Sequence, residues 1–586
     1  MDPTQDNRPL ALYTVLPPDT LLLRSIKGEE ALSRLYCYAL DVLTTAPVDI
    51  DALLGTPAAV RITRQDESGT PRWVSGHIAS CSFIEMKGSY LRYALELVPW
   101  TWFLQRRVNC RIFQDNMTVP DIVKTIFRDA GFTDFRDELT EEYAGWEYCC
   151  QYQESDFHFV QRLMEQEGIY YYFEHEQNRQ RLVLCDNQAE QPALPEAASL
   201  LFNRQSTADH NEDPTRFITE WTTQRKVVPG AMTLKDFDFT KPDAPLLARV
   251  NFPNQHAHAD LEVYEYPGEY VAQRTGETLA SRRLEEQNVE HEQFTGRTEN
   301  RAVLCGSVFH LEDHPVDPFN ERYRVLSATI DARNDDYESV EDDTDHTAYF
   351  RCDIEALRAE TIYRPPRITK RPVIAGAQTA VVTGKPGDEI YTDEYGRVKV
   401  RFHWDRGDYP DETASCWIRA AQVWAGKQWG AMYIPRVGHE VIVEFLEGDP
   451  DRPIITGRVY NGANRPPYNL PDEKTKSTIK SNSSIGGGGF NELRFEDKKG
   501  EEELYIQAEK DENHLVKNDR SRTVGNDEIV EIGRNKDHVV VGKHLMQADE
   551  MILDAASKIT IRCGGSTIVL TPAEITINSP MVKINC

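Results

Sequence analysis

Long apolar runs are missing from this chain of 586 residues. No stretch approaches the ~18–20 apolar residues of a membrane-spanning helix, so no stable membrane anchor of that kind is expected. The opening segment, MDPTQDNRPLALYTV, has neither a basic start nor an apolar core, and no cleaved secretory signal is expected there. Basic charge is scarce. Lys and Arg number 66 against 95 Asp and Glu, for a net charge of −29. A sequence-independent grip on phosphate backbones needs a basic face, so nucleic acid is not an expected partner. The 11 cysteines are scattered, with an adjacent pair at Cys149-Cys150 and no CxxC spacing. That usage fits reduced thiols in the cytosol rather than a disulfide framework.

Catalytic patterns are equally thin. Gly384-Lys385-Pro386-Gly387 lacks both the upstream glycine spacing and the Ser/Thr of a phosphate loop and reads as a turn. His256 and His258, and likewise His310 and His314, could ligate a metal, but no HExxH or second cluster accompanies them, and they read as surface histidines. No Gly-x-Ser-x-Gly elbow occurs. Neither a catalytic residue, a metal nor a cofactor is expected. Trp417, Trp424 and Trp429 could stack bases, but basic residues around them are mixed with acids, and Val441–Asp451 is acidic. These rings are expected to fill a barrel and its contacts with neighbouring chains.

What is present is mainly alternation. Residues 1–371 read as short strands, such as Val60–Thr63 and Leu91–Leu97, interrupted by three helices. The first starts near Pro120 and stops at Gly131. The second is capped by Ser155 and closed by Gly168, and the third runs from about Val271 to Val289. Residues 372–468 hold compact alternating strands punctuated by glycine, including Val398–Phe402, Trp417–Ala420 and Glu440–Phe445, and fit a small closed barrel of the OB kind. The Asp449-Pro450-Asp451-Arg452-Pro453 turn reads as structural, with prolines fixing φ. Residues 469–490, rich in Pro and Gly, read as a linker. It is too short to hold a folded enzyme, since domains start at about 50 residues.

From residue 491 to the end the chain turns rhythmic. Val516, Val524, Ile532 and Val540 are eight apart, two of them followed by glycine. Strand-spaced apolar pairs follow: Met551/Leu553, Ile559/Ile561, Ile568/Leu570, Ile575/Ile577 and Val582/Ile584. A unit this short cannot bury its own stripe and needs neighbours. Three chains wound on one axis would pair the open N–H and C=O groups and place those fourteen side chains inside. Polar octad positions such as Lys517 and Asn526 would face water. A single-chain coil usually needs twenty or more residues per turn, which period eight disfavours.

Three blocks then resemble a known family. They are Tyr152–Phe157 with Glu167–Phe173, Leu261–Gly268, and the longest, Asp393–Val400 with Pro435–Val441 and Phe445–Pro453. With the Val-Gly octads they resemble VgrG, the valine-glycine repeat spike family of type VI secretion systems, related to contractile phage tail hubs. The resemblance implies a fold that is mainly β with some α: a phage-hub-like α+β base with barrel parts, an OB barrel, and an intertwined three-chain parallel β-helix. It implies a non-enzymatic homotrimer at the tip of a secretion tube that punctures target envelopes. A PAAR-type cap would meet the tip at Lys583, Ile584, Asn585 and Cys586, the base would meet the inner-tube ring protein, and effectors and adaptors would ride on it. Such a protein is cytoplasmic before firing and then leaves without an N-terminal signal. The alternative is the hub or spike of a contractile phage tail or a phage-derived bacteriocin.

Overall fold

The computed structural model describes residues 3–64, 70–187, 193–194, 197–203, 213–337 and 347–584. The chain divides into two units, residues 1–507 and 508–586. The first is built on one twelve-stranded sheet that curls into two lobes. In the second lobe Arg322–Arg333 pairs with Val308–Glu312 on one edge and with Tyr349–Arg358 on the other, closing a ring of six strands. In the first lobe the strands Leu10–Tyr13 and Leu22–Ala31 lie at either end of six, and side chains bridge the gap between them. Asn334 donates Nδ2 to the carbonyls of Leu10 and Leu23, and Gln5 Oε1 accepts from the amides of Leu12 and Leu23. Both amides are buried, so each bond replaces a backbone partner that water cannot supply.

All three expected helices form, and two of them carry clear end signals. Helix α1 (Val119–Asp129) begins with a capping box between Thr118 and Asp121, with Pro120 in its first turn. In α2 (Asp156–Glu167) the Ser155 hydroxyl accepts from the His158 amide. Gly168 ends this helix at φ 70°, and a β-carbon there would approach Arg364 Cδ to 2.9 Å, so both backbone and space call for glycine. Ile122, Ile126, Phe127, Phe159 and Leu163 join the buried core of the lobes. Helix α3 (Gln273–Val289) covers a small sheet of Ala231–Lys235, Leu247–Asn251 and Glu262–Glu265, with Met232, Leu234, Leu279 and Leu284 buried between them.

The barrel follows. Its sheet runs Lys399–Phe402, Gln378–Thr383, Glu440–Phe445, Pro453–Val459. The segment around Ile418–Ala420 bridges its two edges, through Val398–Ile418 and Ala420–Ile455. Inward residues Ala380, Val382, Val400, Phe402, Ile418, Val441, Val443 and Ile455 are buried together, the alternate set expected of a barrel wall.

One expectation is corrected. Lys476–Lys480, inside the span read as a linker, is a strand paired with Glu492–Glu496, which pairs with Glu503–Gln507. In the second unit the octads from Val516 to Val540 form no strand within the chain, whereas Ile559–Cys563, Ser566–Leu570 and Ile575–Asn578 form an antiparallel sheet. The strand pairing there is intrachain. Gly564-Gly565 supplies a two-residue turn, with Gly564 at φ 54°, and Thr571 N–H donates to Glu574 C=O at the next bend.

Candidate assembly surfaces

The joint between base and barrel is electrostatic and largely buried. Arg371 Nη1 lies 2.5 Å from Glu269 and 2.7 Å from Asp449, and its Nη2 donates to Gln166 in α2 at 3.0 Å. Asp449 also accepts from the amide of Asp451, and Asp451 accepts from the amide of Cys150. Arg452 pairs with Asp236 of the small sheet at 3.3 Å. The Asp449–Pro453 turn, expected only to fix backbone, therefore bolts the barrel to three separate parts of the base. Behind it, Arg282 pairs with Glu167 and Glu141, and Arg364 with Glu141 and Glu285, all within 2.8 Å. Burial, and then the charge of Asp449, push the Asp451 carboxyl up to about 7, against the pull of Arg162 and Arg371.

The rings expected to fill the barrel divide. Trp417 lies on its wall, half-buried against Tyr391 at 4.8 Å. Trp424 and Trp429 do not fill it. They stand edge to face at 5.0 Å on an outlying hairpin, 63 % and 58 % exposed. Of the nine tryptophans in the chain, the other seven are buried or half-buried. His314, read as a surface residue, is buried between Phe202 and Phe319, and its Nδ1 accepts from the Val316 amide. Both His256 nitrogens are engaged with backbone, Nδ1 with Ala257 C=O and Nε2 with Val228 N–H. His258 and His310 are exposed or half-exposed, and Lys385–Asp388 is a hydrogen-bonded turn.

The sheet of residues 476–507 has two unlike faces. One carries Thr478, Arg494 and Tyr505 in a row, flanked by Lys476, Glu496 and Glu503 and by Lys480, Glu492 and Gln507. On that face Arg494 lies 2.6 Å from Glu503 with its guanidinium over the Tyr505 ring. The other carries Ile479, Leu493 and Ile506 in one row and Phe495 and Leu504 in the next. Ile479, Phe495, Leu504 and Ile506 are all exposed.

The second unit repeats the design. Cross-strand registers align Ile559, Leu570 and Ile575, and beside them Ile561, Ile568 and Ile577. Six expected core residues thus share one face, on which Ile561, Ile568, Ile575 and Ile577 are exposed and Ile559 and Leu570 half-buried among the described residues. In the octads Val516, Val524, Ile532 and Val540 are 50 %, 43 %, 48 % and 41 % exposed, while the adjacent Leu515, Val539 and Val541 reach 86 %, 88 % and 103 %. These four positions are less exposed than those neighbours, yet all four are exposed in the single chain. Met551, Leu553, Val582 and Ile584 lie outside strands and are exposed, as is Lys583; Asn585 and Cys586 lie outside the described residues.

A curled hub, an OB barrel and a tail with bare apolar faces define a tail-spike protein. Three family models agree: a phage tail baseplate hub over residues 29–336, the type VI secretion system/phage-baseplate injector OB domain over 379–460, and the bacteriophage T4 gp5 C-terminal trimerisation domain over 477–577. Type VI secretion system spike protein VgrG1a of Pseudomonas aeruginosa is 43 % identical over 96 % of this chain and 89 % of its own length. VgrG1b of the same organism is 44 % identical over 89 % of this chain and 70 % of its own. The chain belongs to the VgrG family of type VI secretion system spike proteins. The actin cross-linking toxin VgrG1 of Vibrio cholerae is 31 % identical over 94 % of this chain, which spans half of that relative. Among solved structures, the E. coli c3393 protein, a type VI component similar to the T4 tail proteins gp27 and gp5, superposes with a TM-score of 0.55 at 21 % identity, over 76 % of this chain and 99 % of that one. A Francisella PdpA-VgrG complex superposes with a TM-score of 0.53 at 8 % identity, over 85 % and 88 %.

Proposed function

We propose that the chain is a non-enzymatic trimeric spike that an external contractile sheath drives into a target envelope. The observation that carries this reading is the pair of bare apolar sheet faces in the tail, in a segment that matches a trimerisation domain. Fully burying one Val, Leu or Ile contributes ~1.5–3 kcal/mol, and a dozen such positions in each of three chains outweigh any other interaction available to the tail. Val516, Val524, Ile532 and Val540 are less exposed than the nearby apolar residues Leu515, Ile529, Val530, Val539 and Val541, which suits an axis-facing stripe. In this reading residues 1–371 form the base that meets the inner-tube ring protein, residues 372–468 the barrel, and the tail the shaft. Its fourteen apolar positions stiffen the shaft, and Lys583 to Cys586 meet a PAAR-type cap. Effectors and adaptors ride on the assembly, as the solved PdpA-VgrG pairing supports. The spike waits in the cytoplasm and leaves through the tube rather than through an N-terminal signal. Light scattering on the purified protein tests the assembly. The expected mass is three times the chain's 67.0 kDa, and a stable monomer would overturn the proposal.

A further inference from the structure

The barrel's closing segment does not return directly to the sheet. After the Ala421 amide bonds to Ile455, the chain leaves the wall, runs out through Gln422–Tyr433 and rejoins it at Ile434, which packs on the barrel core. The excursion is a defined hairpin. Ala425 pairs with Gly430 and Gly426 with Trp429, and the Ala431 amide donates to Trp424 C=O at 2.8 Å. At its root the Tyr433 amide donates to Gln422 Oε1 at 2.8 Å. A β-carbon at Gly426 would lie 2.3 Å from the Trp429 ring, and one at Gly430, φ 137°, 2.3 Å from Trp424 C=O, so both glycines are needed for the close fold.

This arm buries almost nothing of its own. Val423 is 89 % exposed and Met432 79 %, with the two tryptophans between them. Trp, Tyr and Met are the residues enriched at the centres of protein interfaces. The sole charge in Gln422–Tyr433 is Lys427, in a chain of net charge −29. The arm is thus apolar and nearly uncharged, which suits an apolar rather than a charged contact. Size narrows the occupant. A large aromatic buries 150–250 Å² in full, so the exposed parts of these four side chains supply on the order of a few hundred Å², below the ~800 Å² per partner of a stable free-standing interface. Such an arm cannot hold a separate protein, but it can close onto a chain already tethered nearby at high effective concentration. The tether lies at its root. Arg436, three residues beyond the arm, donates to Asn482 C=O at 3.0 Å, and Asn482 lies in the segment matched by the trimerisation domain.

We propose that the Trp424–Trp429 hairpin is a clasp that seats on the barrel of a neighbouring copy, a self-association surface outside the tail. This rests on the trimeric reading and adds a second site to it. Hydrogen exchange on the intact, unmodified chain, with its mass measured on the same sample, tests it. In a trimer the amides of residues 424–431 are expected to exchange at least about tenfold more slowly than an uncovered two-rung hairpin allows. The full-length Trp424→Ser/Trp429→Ser protein is expected to stay trimeric but to lose that protection and melt several degrees lower. A trimer with a fast-exchanging arm, or a double variant that melts like the parent, overturns the clasp and leaves the trimer standing. A monomeric parent instead overturns the trimeric reading beneath it.

Discussion

Asp451 is the residue on which the barrel's attachment turns. The residue is half-buried with its Oδ2 shielded from solvent, its Oδ1 accepts from the Cys150 amide, and its neighbours are another carboxylate and two guanidiniums. An unfolded chain releases this proton near the ordinary aspartate value of ~3.9, whereas the folded chain holds it up to about 7. The folded state therefore binds more protons across that window. The contribution of this group to stability is fully present below about 4 and is lost as pH rises through about 7. Asp451→Asn mimics the protonated side chain and is expected to flatten the pH dependence of the unfolding midpoint between pH 4 and 7. Parallel curves for parent and variant would contradict this. None of it was readable from the sequence, because Asp449, Asp451 and Arg452 meet Arg371, Cys150 and Asp236, residues 78, 301 and 216 positions away.

Elements divide by how local their causes are. The frames of α1 and α2 were legible because a cap, a proline and a terminal glycine act within a few residues. The barrel core was legible because inward and outward residues alternate. The strand Lys476–Lys480 was not, since Ile479 is its only large apolar side chain and its partner lies beyond a glycine-rich loop. The direction of the Trp424–Trp429 arm was also hidden, because composition cannot separate a ring inside a wall from one on a finger. The intrachain sheet of residues 559–578 follows from the Gly564-Gly565 turn, a signal that was in the sequence and went unused. At this scale Val524→Asp or Ile532→Asp is expected to gather three carboxylates on the axis of the proposed trimer, at a large desolvation and like-charge cost. The shaft should lose resistance to heat and SDS. Glu528→Asp should leave it unchanged, and equal resistance in all three would place those side chains on the outside.

At the scale of the whole molecule the base and barrel differ from the tail in what they can do alone. The base and barrel have filled interiors and are joined by ion pairs, with the second lobe of the base closed into a ring within one chain. The tail is arranged otherwise: the apolar faces of its sheets are open within the chain. If those faces meet across copies, the midpoint of thermal unfolding should rise with protein concentration, as mass action requires of an assembly. A midpoint constant over a hundredfold range of concentration, with unfolding reversible, would mean that the tail is stable in isolation.

The open sheets at residues 476–507 and 559–578 also bear on the protein's history before assembly. A newly made copy shows unpaired strand edges beside uncovered isoleucines, the combination that recruits unrelated chains. Ribosomes reading one message close together would supply siblings before strangers arrive. Scattered synthesis should send more of the product into inclusion bodies, so recovery of usable protein depends on how crowded its birthplace is with its own kind.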